Sequence, residues 1–153
     1  MDSIWQATSE MPHFPTLVGD LKKDAVVVGG GMAGLLTAAR LRQAGLDTAV
    51  IERESIASGV TAGTTAKITS QHGLIYDKLI RRFGHERARQ YAHANQRAID
   101  RFWEMAAEIG AQCAMQEMDA YVYSTSGGTK TQREAAAAQS LGIPASLVVK
   151  TDL

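Results

Sequence analysis

Residues 24–52 leave little freedom in how this chain can fold. The stretch opens on an apolar run, Ala25-Val26-Val27-Val28, and turns through Gly29-Gly30-Gly31-Met32-Ala33-Gly34. A helical pattern then runs to Gly45, and the stretch closes on Thr48-Ala49-Val50-Ile51-Glu52. Strand, glycine turn, helix, strand and acid, in that order and with so short a crossover, is the layout of a βαβ unit with parallel strands. In the helical part Leu35, Ala38, Ala39 and Leu41 fall at helical spacing. Ala38 is small enough for close packing on the strands, and Gly45 stands where a left-handed residue would cap the helix.

The glycines have separate reasons. Gly29 permits the tight turn off the strand, Gly31 has no side chain to keep a pyrophosphate from the backbone, and Gly34 lets the helix lie close to the sheet. A pyrophosphate would meet the unpaired N–H groups at the helix start, where the macrodipole places roughly half a positive charge. Glu52 lies 23 residues after Gly29. There a carboxylate can accept both hydroxyl hydrogens of an adenosine ribose, and it would repel the 2'-phosphate of NADP. Arg53 next door pulls weakly the other way. The fold class read from this stretch is α/β. A Rossmann-like dinucleotide-binding half-unit is followed by helices and the start of a further α+β region.

With 45% hydrophobic residues and 16 basic against 16 acidic side chains, the 153 residues have the composition of a globular domain. Zero net charge gives no electrostatic reason to expect a nucleic acid or an anionic membrane as partner. The single cysteine, Cys113, excludes an intrachain disulfide and fits a reducing compartment. The first twenty residues include Asp2 and Glu10 and lack the basic flank and apolar core of a secretory signal; no run approaches the ~20 apolar residues of a membrane span. A cytoplasmic location is therefore the expectation. One βαβ half-unit has too few strands for a doubly wound sheet, and Leu147-Val148-Val149-Lys150 reads as a strand with almost nothing after it. An incomplete, N-terminal piece of a longer protein is expected.

Residues 1–23 read as an extended arm, with Pro12 and Pro15 opposing helix and Trp5 and Phe14 as packing anchors. Residues 24–153 read as a partial dinucleotide-binding domain with a helical insertion at about 76–110. Immediately after Glu52 the composition turns to Ser, Thr, Gly and Ala, as in Ala57-Ser58-Gly59-Val60-Thr61-Ala62-Gly63-Thr64-Thr65-Ala66-Lys67. Such a loop can approach a ligand closely and offer hydroxyl and backbone hydrogen bonds.

Further on, the spacing predicts a helix over 76–83 ended by Gly84, and a long one over 85–109 ended by Gly110. The long helix carries an apolar stripe of Ala88, Tyr91, Ala92, Ala98, Ile99, Phe102, Met105, Ala106 and Ile109, expected to be core. Segments 114–118 and 120–124 read as paired short strands, and Ser126-Gly127-Gly128 as a turn. Thr131 and Glu134 read as a capping box for a helix through Ser140. His85 and His93 lie about two turns apart, too far to share a metal, and His72 is the one histidine kept as a site candidate. No CxxC, HExxH, GxSxG or Walker sequence occurs, so no metal site is expected and no catalytic residue stands out.

Taken together, residues 24–52 resemble the FAD-binding fingerprint of the D-amino-acid oxidase and glycine oxidase superfamily, where a third glycine within the turn and a terminal Glu are usual. Ser3-Ile4-Trp5, Met11-Pro12-His13-Phe14-Pro15 and Thr64-Thr65-Ala66-Lys67-Ile68-Thr69-Ser70-Gln71-His72-Gly73-Leu74-Ile75-Tyr76 are similar to a bacterial branch of it. Members of that branch carry a Rieske iron–sulfur domain after the flavin domain. Gly63 departs from the branch, which has a bulky residue before the paired threonines. The chain also stops before the family's later strands, its C-terminal glycine segment and most of its substrate domain. It has no CxH and CxxC pair to hold the Rieske cluster.

The resemblance implies FAD as cofactor, with its pyrophosphate near Gly29, Gly31, Ala33 and Gly34, its ribose on Glu52, and Arg53 beside the adenine. Thr61, Thr65 and Ala66 would follow the pyrophosphate and ribityl chain. Lys67 would stand near the flavin ring, where a cation stabilises negative charge on the N1 side of the reduced flavin. The implied function is the cofactor-binding part of an FAD-dependent oxidoreductase that oxidises an amine or amino-acid-like small molecule by hydride transfer to flavin. A Rieske domain is the implied partner in the full-length protein. An NAD-dependent dehydrogenase and a non-catalytic truncated fragment are the competing readings.

Overall fold

Two parallel strands and one helix make the structural centre of the first half of the chain. The computed structural model describes residues 3–111, 113–125 and 127–148. They divide into two compact units, Met1–Lys67 and Ile68–Leu153. In the first, β1 (Ala25–Val28) and β2 (Thr48–Ile51) pair in parallel with Ala25 opposite Thr48 and Val28 opposite Ile51, joined through α2 (Met32–Gln43). This is the expected Rossmann-like α/β start. The lower end is pinned by Lys23 on Asp47 at 2.9 Å and by the Asp24 carboxylate accepting the Asp47 N–H. At the upper end the Gly29 N–H extends the ladder to the Ile51 carbonyl at 2.8 Å.

The α2 helix ends in a Schellman arrangement. The Gly45 N–H bonds the Arg42 carbonyl, and the Leu46 N–H reaches back to Leu41, so two of the last carbonyls are satisfied before the chain enters β2. Val27 faces α2, while Val26 and Val28 on the opposite face are exposed, Val28 at 84%.

The arm ahead of β1 departs from a wholly extended reading. Ser3 caps a single helical turn, α1 (Ile4–Thr8), in a reciprocal box with Gln6. The prolines begin only at Pro12, so nothing in residues 3–8 opposes that turn. From Ser9 to the start of β1 no helix or strand forms.

In the second unit, α3 (Tyr76–Phe83) and α4 (His85–Glu108) break at Gly84, and α5 (Thr129–Ser140) packs against α3. Tyr76, Ala88, Ala92, Ala137, Ala138, Leu141 and Ile143 form the core. The alanines let the helices approach closely around the one large ring, and Tyr91 meets Tyr76 edge-on at 6.4 Å.

Four expectations fail in this unit. Only Ala88 and Ala92 of the α4 stripe are buried, and Ile109 is 74% exposed. At 1.5 Å per residue, α4 extends roughly three times as far as the eight-residue α3, which can cover only part of it. Segments 114–118 and 120–124 form no strands, because the alternation of Tyr121, Val122 and Tyr123 finds no strand to pair with among the described residues. Leu147 and Val148 are likewise without strand structure; Val149 and Lys150, and Ser126 of the expected turn, lie outside the described residues.

The fourth concerns Glu134. The expected capping box does not form: α5 starts from Gly128 with no side-chain cap, and the Thr131 hydroxyl bonds the Gly128 carbonyl. Glu134 instead turns inward, 4% exposed, and caps a different helix. Its Oε1 accepts the N–H groups of Ile75 and Tyr76 at 2.9 and 2.8 Å and the Gln71 amide at 3.0 Å, while Oε2 accepts the Asp77 N–H at 3.0 Å. A buried carboxylate thus serves the open end of α3, where the macrodipole favours it.

Candidate functional site

The glycine turn is shaped by one close approach and one unusual dihedral. A Cβ at Gly34 would stand 1.9 Å from the Gly29 carbonyl oxygen, and Gly29 itself has φ +105°. Packing therefore requires glycine at 34, and the backbone conformation favours it at 29. Gly31 is different: its φ of −76° is ordinary for any residue, and a Cβ there would meet only the Thr61 hydroxyl, at 3.4 Å. Nothing in the folded chain demands glycine at 31. The space beside it suits a group from outside.

That space lies at the start of α2. The Met32 N–H is taken by the Thr61 hydroxyl at 3.1 Å. The N–H groups of Ala33 and Gly34, also in the first turn, have no intrahelical acceptor, and no side chain takes them among the described residues. No acidic side chain stands in that turn to repel an anion. A phosphate oxygen could bond the free donors and share or replace the Thr61 hydroxyl.

Glu52 faces the turn from the end of β2. Its Oε2 accepts the Gly30 N–H at 2.7 Å and its Oε1 the Glu54 N–H at 3.0 Å. The carboxylate therefore fixes the turn as well as being available to a ligand. These two bonds, the Gly30 one foremost, hold its pKa below the ordinary carboxylate value. A depressed folded-state pKa contributes stability above the unfolded value and loses it as pH falls through the folded one. In urea unfolding of wild type and Glu52→Gln, the advantage of wild type should be constant from neutral pH down to the ordinary carboxylate range and shrink below it. Parallel curves throughout would show that the charge does not hold the turn.

The segment leaving β2 folds back over the glycines. The Ala57 N–H bonds the Gly30 carbonyl at 2.8 Å, and a Cβ at Gly30 would meet Ile56 Cγ2 at 2.9 Å. Sequence reasoning missed Gly30 and Ile56, although three consecutive glycines hinted that the middle one was also constrained. Among the expected site residues, the structure brings Gly29, Gly31, Ala33, Gly34, Glu52 and Thr61 around one turn. Arg53 points its guanidinium to Glu54, both of them exposed. Thr65, Ala66 and Lys67 lie exposed on the outgoing loop, where neither Thr65 nor Lys67 makes a side-chain hydrogen bond or ion pair to described residues. His72, in the second unit, stands 3.4 Å from the Asn95 amide oxygen. No group of three or more His, Cys, Asp or Glu side chains is placed to hold a metal among the described residues. No described helix is long and apolar enough to cross a membrane.

Residues 24–152 match the family described as DAO, FAD dependent oxidoreductase. Over 149 residues, 96% of this chain, the sequence is 38% identical to a Bacillus subtilis (strain 168) protein that carries the provisional name Rieske 2Fe-2S iron-sulfur protein YhfW. The chain spans 29% of that relative's length. No solved structure matches.

Proposed function

This chain belongs to the DAO family of FAD-dependent oxidoreductases, and from that premise we propose that its first unit holds the adenosine diphosphate part of FAD. Gly31 carries the reading: it is the one glycine of the turn that neither the backbone nor the packing explains, and it borders free N–H donors. Met32, Ala33 and Gly34 would donate to the pyrophosphate, with the Thr61 hydroxyl beside it. Glu52 would take the ribose hydroxyls, and because Oε2 already accepts the Gly30 N–H, it would fix the turn and the sugar together. Arg53 would flank the adenine, and Thr65, Ala66 and Lys67 would follow the ribityl chain toward the flavin. The bound flavin would supply the hydride acceptor for oxidising an amine or amino-acid-like substrate. Electrons would leave through a Rieske domain in the full-length protein, a reading supported by the relative's name.

Equilibrium titration with FAD, ADP and NAD tests this. FAD should bind more tightly than NAD, with ADP retaining part of the affinity. Glu52→Ala should weaken FAD and ADP alike by roughly 10- to 100-fold, the worth of charge-assisted hydrogen bonds of about 1.5–3 kcal/mol. Unchanged affinity would place the ribose elsewhere. Preference for NAD would favour the dehydrogenase reading, and binding of none of the three a scaffold that has lost its ligand.

A further inference from the structure

Residues 3–8 lie ahead of the residues matched by the family, yet they reach the loop that lies over the glycine turn. The indole Nε1–H of Trp5 donates to the Thr64 carbonyl oxygen at 2.7 Å, across 59 residues of sequence. Among the described residues it is the one side-chain hydrogen bond from α1 to any other element or loop. The α1 helix buries no residue, so it adds nothing to a core. A five-residue helix is also far too short to persist without tertiary support. What α1 does, on this geometry, is present one indole.

The carbonyl it holds is well placed. The Thr64 N–H closes a turn on the Thr61 carbonyl at 3.4 Å, and it is the Thr61 hydroxyl that occupies the Met32 N–H at the start of α2. On its other side the Thr64 hydroxyl accepts the Ala66 N–H at 3.2 Å, and Ala66 has φ +56°, a conformation that residues with a Cβ rarely adopt. Such a residue persists only where its surroundings hold it. The loop therefore needs an external restraint, and the bond from Trp5 supplies one.

We propose that Trp5 is a positioning residue that clasps the 61–66 loop against the start of α2, so that the Thr61 hydroxyl is in place where a cofactor phosphate binds. The clasp on the loop stands on the contacts above; its consequence for FAD rests on the cofactor reading. Trp5→Phe keeps an aromatic ring and removes only the donor. In the full chain without ligand, hydrogen exchange at the Met32 and Ala66 amides should become about fivefold faster, the effect of one lost hydrogen bond, while Val27 and Ala49 in the sheet keep their rates. With FAD bound, its release measured by flavin fluorescence after dilution should also be about fivefold faster. Exchange that is unchanged at Met32 and Ala66 overturns the clasp. So does exchange accelerated equally in the sheet, which would make Trp5 a general stabiliser of the unit. Locally faster exchange with unchanged FAD release overturns the link to the cofactor. Should wild type bind no FAD, the cofactor reading fails, and the exchange comparison still decides the clasp.

Discussion

Gly34→Ala is expected to unfold the Met1–Lys67 unit or bring it to the edge of unfolding, with a loss on the order of 3 kcal/mol or more. The added methyl would sit 1.9 Å from the Gly29 carbonyl oxygen, where non-bonded heavy atoms prefer about 3.5 Å. That oxygen cannot swing away freely, since its peptide plane also carries the Gly30 N–H, which is bonded to the Glu52 carboxylate at 2.7 Å. Relief would require α2 to lift from the strand, and Val27 would lose its cover. Against a total stability of about 5–15 kcal/mol, such a loss is decisive. Gly31→Ala is the control. Its methyl meets only the Thr61 hydroxyl at 3.4 Å in an ordinary backbone conformation, so its urea midpoint should stay near wild type while FAD affinity falls. Similar midpoints for the two variants would mean that the turn is not packed as described.

Glu134→Ala carries the second large effect. Four donors converge on this carboxylate: the N–H groups of Ile75, Tyr76 and Asp77, and the Gln71 amide. Tyr76 is fully buried, and the side chain at 134 is 4% exposed. Removing the acceptor strands buried donors at about 1–3 kcal/mol each, reduced where water can enter the space left behind. A total of roughly 3–5 kcal/mol is expected, enough to melt α3 from α5. Glu134→Gln should fall between, because its amide NH2 must face a backbone N–H where a carboxylate oxygen accepted one. Thermal unfolding followed by circular dichroism would rank wild type above Gln above Ala. Equal midpoints for all three would show that α3 does not depend on this cap.

The contrast between Gly34 and Glu134 shows what sequence could and could not disclose. Strand, turn, helix and strand over 24–52 were legible because their periodicities and the glycine spacing are local. The need for glycine at 34 follows from helix resting on strand, which the same local order implies. Glu134 carried a local signal too, three residues after Thr131, but that signal pointed to the wrong helix. A carboxylate goes to the strongest open set of donors, and here that set lies at the start of α3, 57 to 59 residues away in sequence. No pattern within α5 encodes it. The Trp5 bond to Thr64 is hidden for the same reason. The α4 stripe was visible as an amphipathic pattern, yet periodicity gives only the face that can be covered, and the length of the covering helices decides how much of it is. Around the glycine turn, the sequence showed which residues lie near one another. It did not show that the Glu52 carboxylate is already engaged by Gly30, or that a threonine hydroxyl stands at the first helical N–H.

The central claim is that the start of α2, opened by the bare Gly31, receives the pyrophosphate of FAD. Its most direct test is the amide nitrogen–proton spectrum of the full chain during titration with ADP, which carries the ribose and pyrophosphate without the flavin. The largest shifts should fall on Gly31, Met32, Ala33 and Gly34, with Gly30 and Glu54 following as the Glu52 carboxylate adjusts to the ribose. Saturating ADP that leaves these amides unmoved, or that moves residues of the α3–α5 unit instead, would contradict the claim.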